Sequence, residues 1–225
     1  MRGHRWSLDD LVTAWFAAEL RAAAPSTVAD LGCGIGAVLL MLAWRFPAAR
    51  CIGIEAQAES AALARRSIAW NGAAARCTVL DGDLREPSDL PAETFDLVSG
   101  TPPYLPRGTG REPTRALQAA CHLELRGGIE AYCTAAASLL APGGRFIVCH
   151  ADVRRTAAAA RTAGLCIAAR LDVIPRAGKR VLFSVFAMAD GATPDTASSE
   201  LIVRDRHGQW TDSFRAVRQA MGMPT

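Results

Sequence analysis

The sequence predicts an α/β fold: a doubly wound sheet, mostly parallel, with one antiparallel strand. Three observations carry this. Short apolar strand-like runs alternate along the chain with helix-length amphipathic segments, the order that builds parallel sheets with helices on both faces. A glycine-rich turn, Gly32-Cys-Gly-Ile-Gly36, joins the first such strand directly to the next helix. Near the C-terminus two strand-like runs are separated only by Pro175-Arg-Ala-Gly-Lys-Arg180, too short for a crossover helix, so they must pair as an antiparallel hairpin. Together these describe a Rossmann-like sheet closed by one reversed strand.

Each element has a local reason. Ser7-Leu-Asp-Asp10 has the form of a capping box, and Leu8, Leu11, Val12, Trp15, Phe16 and Leu20 recur at helical spacing, predicting a helix over 8–24 that Pro25 stops. A strand over 27–31 leads into the glycine turn and a helix over 37–46, and after Pro47 a second strand covers 51–55. The alternation continues with a helix over 58–70, strands over 76–80 and 95–99, a helix over 129–140, and a strand over 145–150 that follows Pro142-Gly-Gly144. A helix over 152–162 precedes the hairpin strands, 165–174 and 181–188. A polar, turn-rich stretch over 191–199 then separates a closing strand at 201–203 and a helix over 214–221. This divides the chain into an N-terminal helical segment (1–24), a main domain (25–190) and a C-terminal appendage (191–225).

Composition narrows the class. With 225 residues, half of them apolar and 21% charged, the chain can bury a core without disulfides and is not a disordered protein. The longest apolar run, 37–44, is far short of the roughly 20 residues of a membrane span, and Met1 to Trp6 leads into acidic residues rather than a signal-type apolar core. The expected setting is the cytoplasm, with no membrane partner. The seven cysteines form no C-x-x-C pair, and Cys51, Cys77, Cys149 and Cys166 sit in or beside strand-like runs, which supports neither a disulfide framework nor a zinc site. A net charge of +3 argues for no nucleic-acid partner by itself; local clustering would have to supply a phosphate-binding face. Lys179 is the single lysine, and the arginine and alanine bias is what GC-rich coding produces.

The chemistry-bearing residues follow strand ends. Glycines 32, 34 and 36 let the backbone approach a ligand and open a helix whose N-terminus carries partial positive charge, which implies a nucleotide-like cofactor. The dinucleotide fingerprint has two residues between its second and third glycines; here there is one. Glu55 ends the second strand, where a carboxylate can accept from ribose hydroxyls. Asp83, after the third, can accept from an adenine amino group. Ser99-Gly-Thr-Pro-Pro-Tyr104 follows the fourth. All face the crevice at the carboxyl ends of the strands. His122 and His150 are general-base candidates if the acceptor is a hydroxyl or a protonated amine, and are otherwise structural.

Taken together these segments resemble the class I S-adenosylmethionine-dependent methyltransferases. The resemblance implies that the motif from Asp30 through Gly32, Gly34 and Gly36 cradles the methionine part of S-adenosyl-L-methionine, that Glu55 takes the ribose, and that Asp83 reads the adenine. Thr101-Pro-Pro-Tyr104 is similar to the Asn/Asp-Pro-Pro-Tyr/Phe motif of amino-directed N-methyltransferases, with Thr101 and Pro102 as acceptors for the amine hydrogens and Tyr104 stacked on a planar acceptor. Tyr104 packed under its own loop is the other reading. His4 to Asp10, the 175–180 turn and Leu201 to Thr211 resemble the corresponding segments of tRNA1(Val)-type adenine-N6 methyltransferases. Thr101 departs from that pattern, since a hydroxyl reaches less far than an amide. The implied partner is a methyl acceptor, tRNA or a small molecule, or else a protein side chain, with no metal; a non-catalytic cofactor-binding protein that has lost its acceptor site is the non-enzymatic alternative. Arg107 and Arg111 can hold its phosphate or carboxylate, or can be part of a solvated arginine-rich loop.

Overall fold

The computed structural model describes residues 6–20, 23–103, 127–191 and 198–225. Eight strands form one sheet: β1 (Thr27–Leu31), β2 (Arg50–Glu55), β3 (Cys77–Asp81), β4 (Phe95–Gly100), β5 (Leu140–His150), β6 (Leu165–Ile174), β7 (Phe183–Asp190) and β8 (Ser198–Ile202). Their spatial order is β3-β2-β1-β4-β5-β7-β6-β8. Only β7 runs against its neighbours β5 and β6; the other pairs are parallel. The order reverses between β1 and β4, and that switch point is where such sheets open a crevice.

The helices are α1 (Leu8–Glu19), α2 (Ala37–Arg45), α3 (Ala58–Trp70), α4 (Ile129–Leu139), α5 (Val153–Thr162) and α6 (Asp212–Ala220). They cover both faces. On one, Leu11, Val12 and Phe16 of α1, Leu39 and Leu42 of α2, Ile68 of α3 and Phe214 and Val217 of α6 pack against Val28, Leu97, Ile147 and Val185. On the other, Ile129, Tyr132 and Leu139 of α4 and Ala159 and Ala160 of α5 meet Leu31, Ile54, Val98 and Phe146. Neighbouring strand residues alternate between the two layers, as the period of two requires.

Several boundaries differ from the sequence reading, three of them with a local cause. The helix begun by the Ser7 capping box ends at Glu19, with Leu20 as its cap donating its N–H to the Phe16 carbonyl (3.2 Å). β5 starts at Leu140, before the Pro142-Gly-Gly segment; that segment is a bulge within the strand, with Gly143 at φ +76° and a register shift against β4. A side chain on Gly144 would lie 2.8 Å from the carbonyl oxygens of Ala141 and Phe95, so only glycine fits there. The second hairpin strand begins at Phe183, leaving Val181 and Leu182 exposed in the turn. The C-terminal segment contributes β8, which pairs in parallel with β6 and extends the sheet by one strand.

Candidate functional site

The turn after β1 sets the floor of the site. Gly32, Gly34 and Gly36 have φ of +60°, +56° and +82°, a region that side-chain-bearing residues avoid. The turn is held by Cys33 N–H donating to the Ile54 carbonyl (3.0 Å) and Gly36 N–H to the Cys33 carbonyl (2.8 Å). Beneath it lies Tyr132 of α4: a side chain on Gly32 would overlap the Tyr132 hydroxyl, and one on Gly100 would lie 2.7 Å from the Tyr132 ring. Gly36 faces the other way. A side chain there would meet Ala64 of α3 only at an ordinary contact distance of 3.5 Å, so it is the φ of +82° that calls for glycine, and Gly36 is not part of the crevice lining.

Glu55 closes β2 and is almost fully buried. One carboxylate oxygen accepts from Gly34 N–H (2.9 Å) and the other from Gln57 N–H (2.8 Å), so this acid orients the glycine turn as well as presenting its remaining lone pairs to the crevice. Asp30 is also buried, beneath the crevice, and accepts from the Ser99 hydroxyl of β4 at 2.7 Å. Burial pushes its carboxyl up to about 7 against that hydrogen bond, with the nearby charges of Asp10 and Glu55 adding to the rise. Asp83 lines the crevice, and both of its oxygens are engaged by the Arg85 guanidinium, at 2.9 and 2.5 Å.

The crevice is a cavity of about 290 Å³, close to the lower end of the ~300–1,000 Å³ typical of small-molecule sites. Gly32 and Gly34 form its base, Glu55 and Gln57 one wall, Asp83 and Leu84 a second, and Thr101, Pro102 and Pro103 the far side. The Thr101 hydroxyl has no hydrogen-bond partner among the described residues. Tyr104, Arg107, Arg111 and His122 lie outside the described residues. His150 is buried and away from the crevice lining; its Nδ1 accepts from Asp152 N–H at the start of α5 (3.1 Å).

Two groups in the site escaped the sequence reading. The first is the start of α1: Ser7, Asp9 and Asp10 line the crevice. Asp10 accepts from Ser7 N–H (2.9 Å), and burial raises its carboxyl to about 6, with Asp9 adding and Ser7 opposing. The resemblance to the methyltransferases puts the N-terminal helix over the cofactor, but nothing in the capping box says that these three side chains line the crevice. The second is Tyr132, whose phenol is pushed above its ordinary range chiefly by burial, then by Glu55 and Asp30. Its position depends on β4, α4 and the glycine turn meeting.

No lysine or arginine lines the crevice among the described residues, while four acids do, with Asp30 buried behind them. A cradle without side chains at Gly32 and Gly34, flanked by carboxylates, fits a cofactor that brings its own positive charge. S-adenosyl-L-methionine, with a sulfonium and an ammonium, is such a group, and Asp10, Gly32, Gly34, Glu55 and Asp83 are the residues that would hold it, with the Asp30 carboxyl behind them adding to the field.

Comparison with known proteins agrees. A family model described as a methyltransferase domain matches residues 28–128. A 4-amino-L-phenylalanine/4-methylamino-L-phenylalanine methyltransferase from Streptomyces pristinaespiralis is 36% identical over 55% of this chain and 43% of its own length. The chain spans about half the length of the first curated relatives it matches. A tRNA1(Val) (adenine(37)-N6)-methyltransferase from Aeromonas hydrophila is 32% identical over 83% of this chain and 78% of its own, well beyond the matched domain. Among solved structures, that of a predicted O-methyltransferase from Agrobacterium tumefaciens superposes with a TM-score of 0.67 over 94% of this chain and 97% of its own, at 22% identity, and shows the fold. The glycine cradle, the strand-end acids, the sheet order and a relative aligned along most of both chains lead to one conclusion: this chain belongs to the class I S-adenosylmethionine-dependent methyltransferases.

Proposed function

We propose that the protein transfers a methyl group to the nitrogen of a planar, amine-bearing acceptor, with adenine in tRNA as the first candidate. The observation that carries this reading is Thr101-Pro102 on the wall of the crevice, with the Thr101 hydroxyl uncommitted among the described residues. The Thr101 hydroxyl and the Pro102 carbonyl are two acceptors on consecutive residues, suited to the two hydrogens of one exocyclic amine. Holding both hydrogens takes the nitrogen lone pair out of conjugation and aims it into the crevice.

When bound, S-adenosyl-L-methionine supplies a methyl already activated on sulfur. The work left to the protein is alignment and exclusion of water, and well-oriented reactants gain up to roughly 7–11 kcal/mol from this alone. Ile54, Leu84 and Pro103 give the crevice its apolar lining, while Glu55 fixes the turn that sets its floor. After transfer the nitrogen bears the positive charge and sheds a proton, so no strong base is required beforehand. The reading gives Tyr104 the stacking role and Arg107 and Arg111 a substrate anion.

The tRNA candidate is supported by the Aeromonas relative, whose named acceptor is an adenine N6 and whose alignment reaches past residues 28–128. A second reading, a free aromatic amine, is supported by the Streptomyces relative, named for an aminophenylalanine, and by the short reach of Thr101 where amino-directed enzymes carry Asn or Asp. The deciding experiment is transfer of labelled methyl from S-adenosyl-L-methionine into a bacterial lysate separated into RNA, protein and small molecules. Label in RNA that digests to N6-methyladenosine supports the first reading. Label confined to small amines replaces it with the second, and label confined to protein, or on oxygen, contradicts both.

A further inference from the structure

The carboxyl edge of the sheet carries a second feature, apart from the crevice. β6 and β8 run parallel to β5 and β4, so the turns that follow them emerge on the same edge as the crevice. The first turn holds Arg176, Lys179 and Arg180, and the second Arg204 and Arg206, all exposed. The two turns are joined into one rim: Ala177 N–H donates to the Arg204 carbonyl (2.8 Å) and Arg176 Nε to the Asp205 carbonyl (3.4 Å). Arg204 donates to the Gly208 carbonyl (2.6 Å), and Arg204 and Arg218 stand over the Trp210 ring at 5.8 and 4.2 Å.

None of those five cations is ion-paired among the described residues. Elsewhere Arg45, Arg50, Arg65, Arg85, Arg155, Arg170 and Arg215 each have a carboxylate partner, while Arg66, Arg76, Arg145, Arg154, Arg161 and Arg218 have none among the described residues but are scattered over the fold instead of gathered on two joined turns. The one acid on the rim, Asp205, spends a carboxylate oxygen on its own turn, accepting from His207 and Gln209 N–H at 2.8 and 2.9 Å. Five cations against one acid leave the rim with a local excess larger than the +3 of the whole chain. Unneutralised arginines on a braced backbone present fixed donors for phosphate.

From this geometry we infer that the rim formed by residues 175–182 and 203–210 docks the phosphodiester backbone of the RNA whose base enters the crevice. The inference rests on the RNA reading of the crevice. Distance selects a polymer: β6 is three strands from β4 and β8 is four, so at about 4.8 Å per strand the rim stands roughly 14–19 Å from the Thr101 wall. A mononucleotide or an amino acid bound in the crevice does not span that gap. A strand continuing past the target nucleotide does, and the acidic crevice beside the basic rim orients it.

The test compares the intact protein with the triple variant Lys179→Gln/Arg180→Gln/Arg206→Gln, whose side chains are exposed and make no hydrogen bond or ion pair among the described residues, so the fold is retained. Arg66→Gln/Arg161→Gln, exposed on α3 and α5, is the charge control. Binding of a fluorescently labelled tRNA transcript is followed by anisotropy between about 50 and 300 mM salt, with S-adenosyl-L-methionine affinity and methyl transfer measured on the same samples. The expected result is at least a tenfold loss of tRNA affinity in the triple variant and a log–log salt slope shallower by about 2 to 3, since each lost phosphate contact removes roughly 0.7–0.9. Cofactor affinity and the control variant stay at the wild-type level. Unchanged tRNA affinity and slope in the triple variant, while the wild type methylates tRNA, overturns the rim and leaves the RNA reading standing. Displacement of tRNA by an equal charge of polyglutamate also overturns the rim, in favour of an acidic protein partner. A wild type that neither binds nor methylates tRNA but methylates a free aromatic amine overturns both.

Discussion

The two ends of the carboxyl edge are built in opposite ways. At the β1–β4 end the backbone is committed: three glycines hold positive φ, one of them, Gly32, against Tyr132, carboxylates tie the turns together, and the lining is acidic. At the β6–β8 end the turns are braced by a few hydrogen bonds, the side chains project outward, and the charge is basic. The contrast fits the proposed division of labour. A site for an invariant small cation has to be rigid and complementary to it, whereas a site for an extended anion needs charge at the right spacing and tolerates local change.

The strongest test of that contrast is a pair of glycines. Gly32→Ala places a methyl onto the Tyr132 hydroxyl at φ +60°, and is expected to cost about 3 kcal/mol or more and to abolish cofactor binding. Gly178→Ala, at φ +80° on the rim with nothing within 4 Å, should cost only about 1 kcal/mol and leave the cofactor bound. Thermal unfolding with calorimetry separates the two; equal losses would erase the distinction.

Next in size is the acceptor wall. Thr101→Ala should lower turnover by roughly 10- to 100-fold, the usual scale for losing one well-placed hydrogen bond in the transition state, with cofactor affinity nearly constant. Single-turnover kinetics beside equilibrium binding checks it, and loss of both in proportion would place Thr101 in cofactor binding instead. Glu55→Ala removes the carboxylate that holds Gly34 and Gln57, and should weaken the cofactor by roughly 10- to 100-fold while tRNA affinity is untouched.

The smallest expected effect is a pH dependence. Asp10 and Asp30 have carboxyls raised to about 6 and about 7, both chiefly by burial. Each binds its proton more tightly folded than unfolded, so their contribution to stability is fullest below the ordinary carboxylate range and is lost as pH rises through those values. A bound cation favours the ionised forms. Affinity for S-adenosyl-L-methionine should therefore tighten by roughly three- to tenfold from about pH 5.5 to 7.5, with proton release on binding. S-adenosylhomocysteine, which lacks the sulfonium charge, should show a smaller change. A flat profile for both would separate these acids from cofactor recognition.

Much of the fold was legible because its signals are local. The strand Thr27–Leu31, the helix Ala58–Trp70 and the strand Leu165–Ile174 are where apolar period and flanking breakers put them, and the reversed strand follows from a short connection alone. What was not legible depends on tertiary assembly. The Pro142-Gly-Gly segment reads as a turn, and becomes a bulge only because β4 lies beside it. Asp10 and Tyr132 enter the crevice from opposite faces of the sheet, and neither their types nor their neighbours in sequence announce it. Gly36 matched the motif, and the structure keeps its positive φ but places it outside the crevice lining, next to Ala64. The rim gathers residues 176–180 and 204–206 only because β8 pairs with β6.

The most direct measurement of the division of labour is a crossed pair of titrations. S-adenosyl-L-methionine and a tRNA transcript are each titrated into Glu55→Ala and into Lys179→Gln/Arg180→Gln/Arg206→Gln. The account predicts a clean crossing: the first variant loses cofactor affinity and keeps tRNA, and the second loses tRNA affinity and keeps the cofactor. Variants that lose both ligands together, or a rim variant that loses only the cofactor, would contradict it.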